Sequence, residues 1–238
     1  MNVHRLWYLT LKNFKTMVRD KAQLAWLLGY PLIFVLLYRF AFEEGVFALM
    51  APAILIAGPT ILIMQLSTHF AEEKEFGTLQ RLVTTPASRS IILLSGLLAQ
   101  LIVGIIQIVI FLALILILGA EVASYAYIFY LFLIPFLVTF SSLGFGLLLA
   151  SIVKNSGSAG GIAWFIILPL QFLGGVVTNP PLLGFLPTSL AVESLRSVMT
   201  DGIVSFEIVG LRLIYLLIWG LVASLIGILF FQRKTAIL

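Results

Sequence analysis

The residues able to do chemistry are scarce in this chain, and they are bunched. Glu72, Glu73, Lys74, Glu75, Arg81 and Arg89 fall within one stretch of 18 residues, although the chain has only 14 basic and 10 acidic side chains in all. Clustered carboxylates can move protons, hold a cation or meet a complementary surface. The first two roles need partners that the sequence does not supply. There is no cysteine, and His4 and His69 sit in separate segments with no carboxylate at ligand spacing. No Gly-Lys dipeptide occurs, so the phosphate loop of an ATPase is missing. The serines lack a histidine and an aspartate placed to activate them. The catalytic and metal-ligand sets are therefore empty, and no cofactor is expected on this chain itself. What remains is recognition: a charged, glycine-containing loop that another protein reads, or a solvated helix that merely joins two apolar segments.

The elements that must hold this island are hydrophobic. The chain is 61% hydrophobic and 10% charged, against roughly 25% charged in soluble domains. Its charge-free runs are Ala22–Tyr38 (17 residues), Gly45–Ala71 (27), Ser90–Ala120 (31), Val122–Val153 (32), Asn155–Val192 (38) and Leu213–Gln232 (20). At about 1.5 Å per residue, a hydrocarbon core of about 30 Å takes roughly 20 residues to cross. The first run reaches only about 25 Å, so Lys21 and Arg39 are expected to snorkel to the two interfaces. The prediction is an all-α membrane protein, one transmembrane domain over 1–238. Spans are expected at 22–40, 46–70, 91–119, 123–153, 157–177 and 210–231. An N-terminal amphipathic interfacial helix is expected at 1–21, a cytoplasmic helix within 71–89, and an outer re-entrant segment and loop at 178–207.

Orientation follows from Lys and Arg. With the N-terminus inside, eleven of the 14 fall in inner segments and only Arg39, Arg196 and Arg212 in outer ones. This positive-inside bias puts both termini in the cytoplasm. It also accounts for the net charge of +4 without invoking nucleic acid. In the first helix, Trp7, Leu11, Phe14 and Val18 share an apolar face opposite Arg5, Lys12, Lys15 and Arg19, a pattern that suits the headgroup layer of a lipid membrane. Small residues repeat at Ser142, Gly146 and Ala150, at Gly157 and Gly161, and at Ala223 and Gly227. Each pair or triplet is a candidate for close helix approach, within the bundle or at a subunit interface. The amides Gln65, Gln100, Gln107 and Gln171 and the hydroxyl of Thr139 read as helix-contact groups first and lumen markers second.

Read as a helix, 72–83 carries Phe76, Leu79 and Val83 on one face and Lys74, Gly77, Thr78 and Arg81 on the other. Its acidic residues then lie at a helix N-terminus, and Pro86 stops it. The run Glu-Glu-Lys-Glu-Phe-Gly-Thr-Leu-Gln-Arg-Leu-Val-Thr-Thr-Pro-Ala-Ser-Arg at 72–89 resembles the signature of type-2 ABC exporter permeases, which export drugs, antibiotics, lipids and polysaccharides. The six-span plan and the basic N-terminal helix ending in Arg19-Asp20 are similar too. Pro187, Glu193 and Arg196 keep the family's last outer pattern, whereas its Asn and aromatic are absent.

The resemblance implies that the loop after the second span is a coupling helix resting on a separate ABC ATPase subunit, which binds ATP and Mg. Glu72, Glu73, Glu75, Gly77, Thr78, Leu79, Arg81 and Leu82 would carry that contact. It implies pairing with a second copy or a related permease, in the plasma membrane of a bacterium or archaeon. It further implies a substrate path lined from the second and fifth spans, where Gln65, Phe165 and Phe172 are the candidates. An apolar path suits an amphipathic or hydrophobic cargo such as a drug, antibiotic, lipid or peptide. The alternatives are a polysaccharide or lipid-linked glycan exporter of the same class, an ATP-independent secondary transporter or channel, and a scaffold that moves nothing.

Overall fold

The structure, a computed structural model, describes residues 3–77, 89–120, 122–124, 127–178 and 180–235. Among the described residues eight α-helices follow one another: α1 (Val3–Arg19), α2 (Lys21–Ala41), α3 (Glu44–Glu75), α4 (Arg89–Ile117), α5 (Ile128–Ile152), α6 (Ser156–Leu173), α7 (Pro187–Met199) and α8 (Leu211–Thr235). A π-helical turn, Phe206–Gly210, leads into α8. No strand occurs among the described residues. Six helical stretches are long and apolar enough to cross a membrane. They are α2 to α6 and the π-turn with α8, the six spans expected from the charge-free runs. Their prolines, Pro31, Pro52, Pro59, Pro135 and Pro169, lie inside continuous helices. The hydrogen bond each proline removes is tolerated where neighbouring helices cover the freed carbonyl.

α3 is the axis of the bundle. Ala51 to Ile63 are buried without a break, and α2, α4, α5, α6 and α7 all pack against α3. The most extensive pairing joins α5 to α8, and it is a backbone contact. A Cβ placed on Gly144 would lie 2.5 Å from Ser224 N and 2.6 Å from Ala223 C, and one on Gly227 would lie 2.9 Å from Gly144 O. Only glycine lets the two helices approach so closely. Gly146 does the same towards α3, with Ile63 O at 3.0 Å from its Cβ position. The expected pair Gly157 and Gly161 behaves otherwise: nothing lies within 4 Å of a Cβ on Gly161, and only the nearby Asn155 side chain approaches Gly157. Among the described residues that motif makes no close helix approach, because no other helix meets the face of α6 on which it sits.

α2, α6 and α8 carry large exposed apolar side chains, among them Leu32, Ile33, Phe165, Phe172, Leu225 and Leu229. Surface of this kind is stable only where hydrocarbon or another protein covers it.

Polar groups inside the spans mostly join helices. Gln171 Nε2 donates to Thr60 Oγ1 at 2.8 Å, and Tyr30 of α2 hydrogen-bonds with the same glutamine, so three helices meet on one amide. Gln100 Nε2 donates to Gln65 Oε1 at 2.7 Å, tying α4 to α3. Both amide atoms of Gln107 and the hydroxyl of Thr139 are buried without a hydrogen-bond partner.

α1 lies across one end of the bundle. The side it turns inward is Thr10, Asn13 and Met17. Asn13 Nδ2 donates to Ser95 Oγ at 3.2 Å, and Met17 joins a cluster with Leu62, Leu66 and Phe70. Trp7 is 56% exposed and Val18 37%, so part of the expected apolar face looks outward while a small polar face grips the protein. At the opposite end the chain after α6 reverses, with Leu182 and Leu183 N–H both donating to Leu173 O at 3.0 Å. It then forms α7, whose residues from Pro187 to Val192 are all buried. Thr188 Oγ1 donates to Leu170 O at 2.6 Å, Trp219 Nε1 to Phe185 O at 2.9 Å, and Arg212 pairs with Glu193 at 3.0 Å. Arg39, at the end of α2, donates from Nε to Leu118 O at 3.2 Å.

Candidate functional site

The charged island is split by the fold. Glu72 to Glu75 form the last turn of α3, which runs unbroken from Glu44. The helix expected to begin at Glu72 does not begin there. Phe76 N–H closes on Glu72 O at 2.9 Å and Gly77 N–H on Lys74 O at 3.2 Å. Gly77 then takes φ +66°, the left-handed conformation that ends helices and that glycine adopts at no steric cost. The mid-helix glycine of the sequence reading is thus a terminator. Thr78, Leu79, Arg81 and Leu82 lie outside the described residues, and α4 starts at Arg89.

The correction changes the electrostatics. Three carboxylates at a helix C-terminus meet the negative end of its dipole, the reverse of the favourable N-terminal placement. Partners offset that. Glu73 is buried and its Oε1 lies 4.0 Å from Lys12 Nζ of α1. Glu75 Oε2 accepts from Ser156 N at 3.1 Å and from Ser156 Oγ at 3.0 Å. It therefore serves the open N–H groups at the start of α6, where Asn155 Oδ1 already takes Ser158 N–H at 2.8 Å. Lys74 is suited to its place: its Nζ donates to Ala150 O near the end of α5 and stands 5.0 Å above the Phe231 ring of α8. A sequence wheel finds none of these partners, because Ala150 and Ser156 lie 76 and 81 positions away. The one readable signal is Asn155-Ser156 as a helix start.

Glu72 and Gly77 are half-buried, Glu75 is exposed and Phe76 is 70% exposed. These four residues form the rim where the chain leaves α3. Of the expected contact residues, Glu73 is turned to the chain itself, and Glu75 is held by Ser156 while staying open to solvent.

The three path candidates are not brought together. Gln65 is engaged by Gln100 and lines a narrow crevice of about 10 Å³ with Met17, Val18, Gln23, Gln100 and Val103. All of these belong to α1 to α4. Phe165 is 81% exposed and Phe172 48%. Seven residues apart, they share the open face of α6. A second hollow, an open apolar groove, runs along α2 past Gly29, Tyr30, Ile33 and Phe34. No group of three His, Cys, Asp or Glu placed to hold a metal ion occurs among the described residues.

No curated protein matches the chain. The family model for the ABC-2 type transporter matches residues 4–200, from α1 through α7 and including the charged island. With six membrane-length helices and most of its length in the match, this chain belongs to the ABC-2 type transporter family as a multi-pass permease.

Proposed function

We propose that this permease is the membrane subunit of an ATP-driven exporter, and that a separate ATPase subunit docks on the segment from Glu72 to Leu82. Within that segment Glu72, Gly77, Thr78, Leu79, Arg81 and Leu82 meet the ATPase, while Glu73 and Glu75 hold the permease side. One observation carries the reading: the longest and most central helix, α3, ends abruptly at Gly77 beside the basic helix α1. A rod buried through its middle, from Ala51 to Ile63, and exposed at the Gly77 tip is a direct route for force into the bundle. ATP and Mg belong to the ATPase. Both termini and this tip face the cytoplasm of a bacterium or archaeon, in keeping with the bias of Lys and Arg.

A second permease, identical or related, completes the transporter. The open faces of α2 and α6 are available to it, and Phe165 and Phe172 line the path between copies. The apolar character of those faces favours an amphipathic or hydrophobic cargo.

The test is purification of the complete chain from its native membrane. An ATPase should co-purify, and Arg81→Glu should release it. Gly77→Asn should keep it, since Asn tolerates the left-handed conformation, whereas Gly77→Val should not. If no ATPase accompanies the chain, an ATP-independent transporter or channel takes precedence.

A further inference from the structure

Three consecutive side chains at the tip of α3 point to three different neighbours. Successive helical residues turn by about 100°, so Glu73, Lys74 and Glu75 fan out around the tip. Glu73 reaches α1 through Lys12. Lys74 reaches the last turn of α5 at Ala150 O and the Phe231 ring of α8. Glu75 reaches the first turn of α6 at Ser156. The Lys74 and Glu75 contacts each fill a need of the helix end they touch. A cation completes a C-terminal carbonyl, and a carboxylate completes N-terminal N–H groups. The turn between α5 and α6, only Val153 to Asn155, is therefore gripped on both sides by adjacent residues of α3.

We infer that Glu73, Lys74 and Glu75 are positioning residues that clamp α1, α5, α6 and α8 to the tip of α3, so that a push applied beyond Gly77 moves the five helices together. The inference rests on ATPase docking at that segment. The clamp has no part in holding the ATPase. It decides how much of the ATPase's movement reaches the far end of the bundle.

The chain has no cysteine, so single thiols report cleanly. Leu182→Cys places one at the far end, at a position 65% exposed. In the complex with its ATPase, reconstituted in lipid, maleimide labelling of that thiol should change when a non-hydrolysable ATP analogue is added. Lys74→Met with Glu75→Ala should shrink that change by about threefold or more, with the ATPase still bound. Lys74→Arg with Glu75→Asp, which keep the charges, should restore it. Separately, Glu75→Cys with Ser156→Cys should cross-link under mild oxidation with no ATPase present, which checks the joint even where the alanine variant folds poorly.

Absence of the cross-link overturns the inference. So does loss of the ATPase from the Lys74→Met/Glu75→Ala variant, which would put those side chains on the docking surface. Bound ATPase with an unaltered labelling response overturns the inference alone. A chain that cross-links but captures no ATPase overturns the docking reading and leaves the joint purely structural.

Discussion

Gly144→Ala is the sharpest test of the packing. The new methyl would sit 2.5 Å from Ser224 N, 2.6 Å from Ala223 C and 2.7 Å from Ala223 Cβ. Ordinary contact begins near 3.4 Å, so α5 and α8 must part by about 1 Å. Two of the three obstructing atoms are backbone and cannot rotate aside. A gap of that size forfeits a quarter to a half of each van der Waals contact, each worth about 0.1–0.2 kcal/mol. Summed over the interface, the loss is about 2 kcal/mol, within the range of about 1–3 kcal/mol for overpacking. The alanine returns about 1 kcal/mol of helix propensity, leaving a net loss of about 1 kcal/mol. For a chain of this size that lowers the melting temperature by about 2–4 °C. Gly29→Ala is the matched control, with nothing within 4 Å of its Cβ position; it should hold or raise the melting temperature. The four tryptophans allow both melts to be followed by intrinsic fluorescence in detergent. A Gly144→Ala variant as stable as its parent, or a Gly29→Ala variant that falls as far, would refute the backbone-contact reasoning.

Other outcomes follow from single contacts. Gln171→Leu removes the donor to Thr60 and should destabilise the chain by about 0.6–1.7 kcal/mol, the range for hydrogen bonds between membrane helices; a cycle with Thr60→Val should recover most of it as coupling. Arg212→Gln breaks the pair with Glu193, whose side chains are 28% and 32% exposed, and should cost no more than about 1 kcal/mol, shrinking further in high salt. For orientation, Lys154→Cys should be shielded from a membrane-impermeant maleimide in intact cells while Leu182→Cys is labelled. The opposite result would invert the topology and move the docking tip outside.

What the sequence revealed and what it hid divide along physical lines. Hydropathy is a local property, and the charge-free runs located all six membrane-length helices. Charge marks the end of a span in a hydropathy pattern, yet α3 continues through its charged residues to Glu75. Lys74 and Glu75 stay in the helix since they have partners near Ala150 and Ser156, a relation no local pattern carries. The face of α1 was ambiguous for another reason. In a membrane the apolar side of a helix can look to lipid, so Thr10 and Asn13 could be the ones to pack inward, as they do. Small-residue spacing has the same weakness: Gly227 and Gly161 both fit the pattern, but only Gly227 faces a neighbour. The residues beyond Gly77, proposed to dock an ATPase, are recognisable only as a family likeness, and capture of an ATPase tests that proposal.

The hydrogen bond from Arg39 to Leu118 O spans 79 positions, and this bears on how the chain is made. The first span emerges from the ribosome with its terminal cation far ahead of that acceptor. At about 5–20 residues per second, roughly 4–16 s pass before Leu118 is synthesised. During that interval the short α2 lacks its anchor to α4, and its hold on the bilayer rests on its own apolar side chains and its flanking cations. Settling of the first span is thus a late event in biogenesis, dependent on arrival of the third span. Chains halted before residue 118 should leave α2 more readily extracted from the membrane by alkaline wash than chains halted after it.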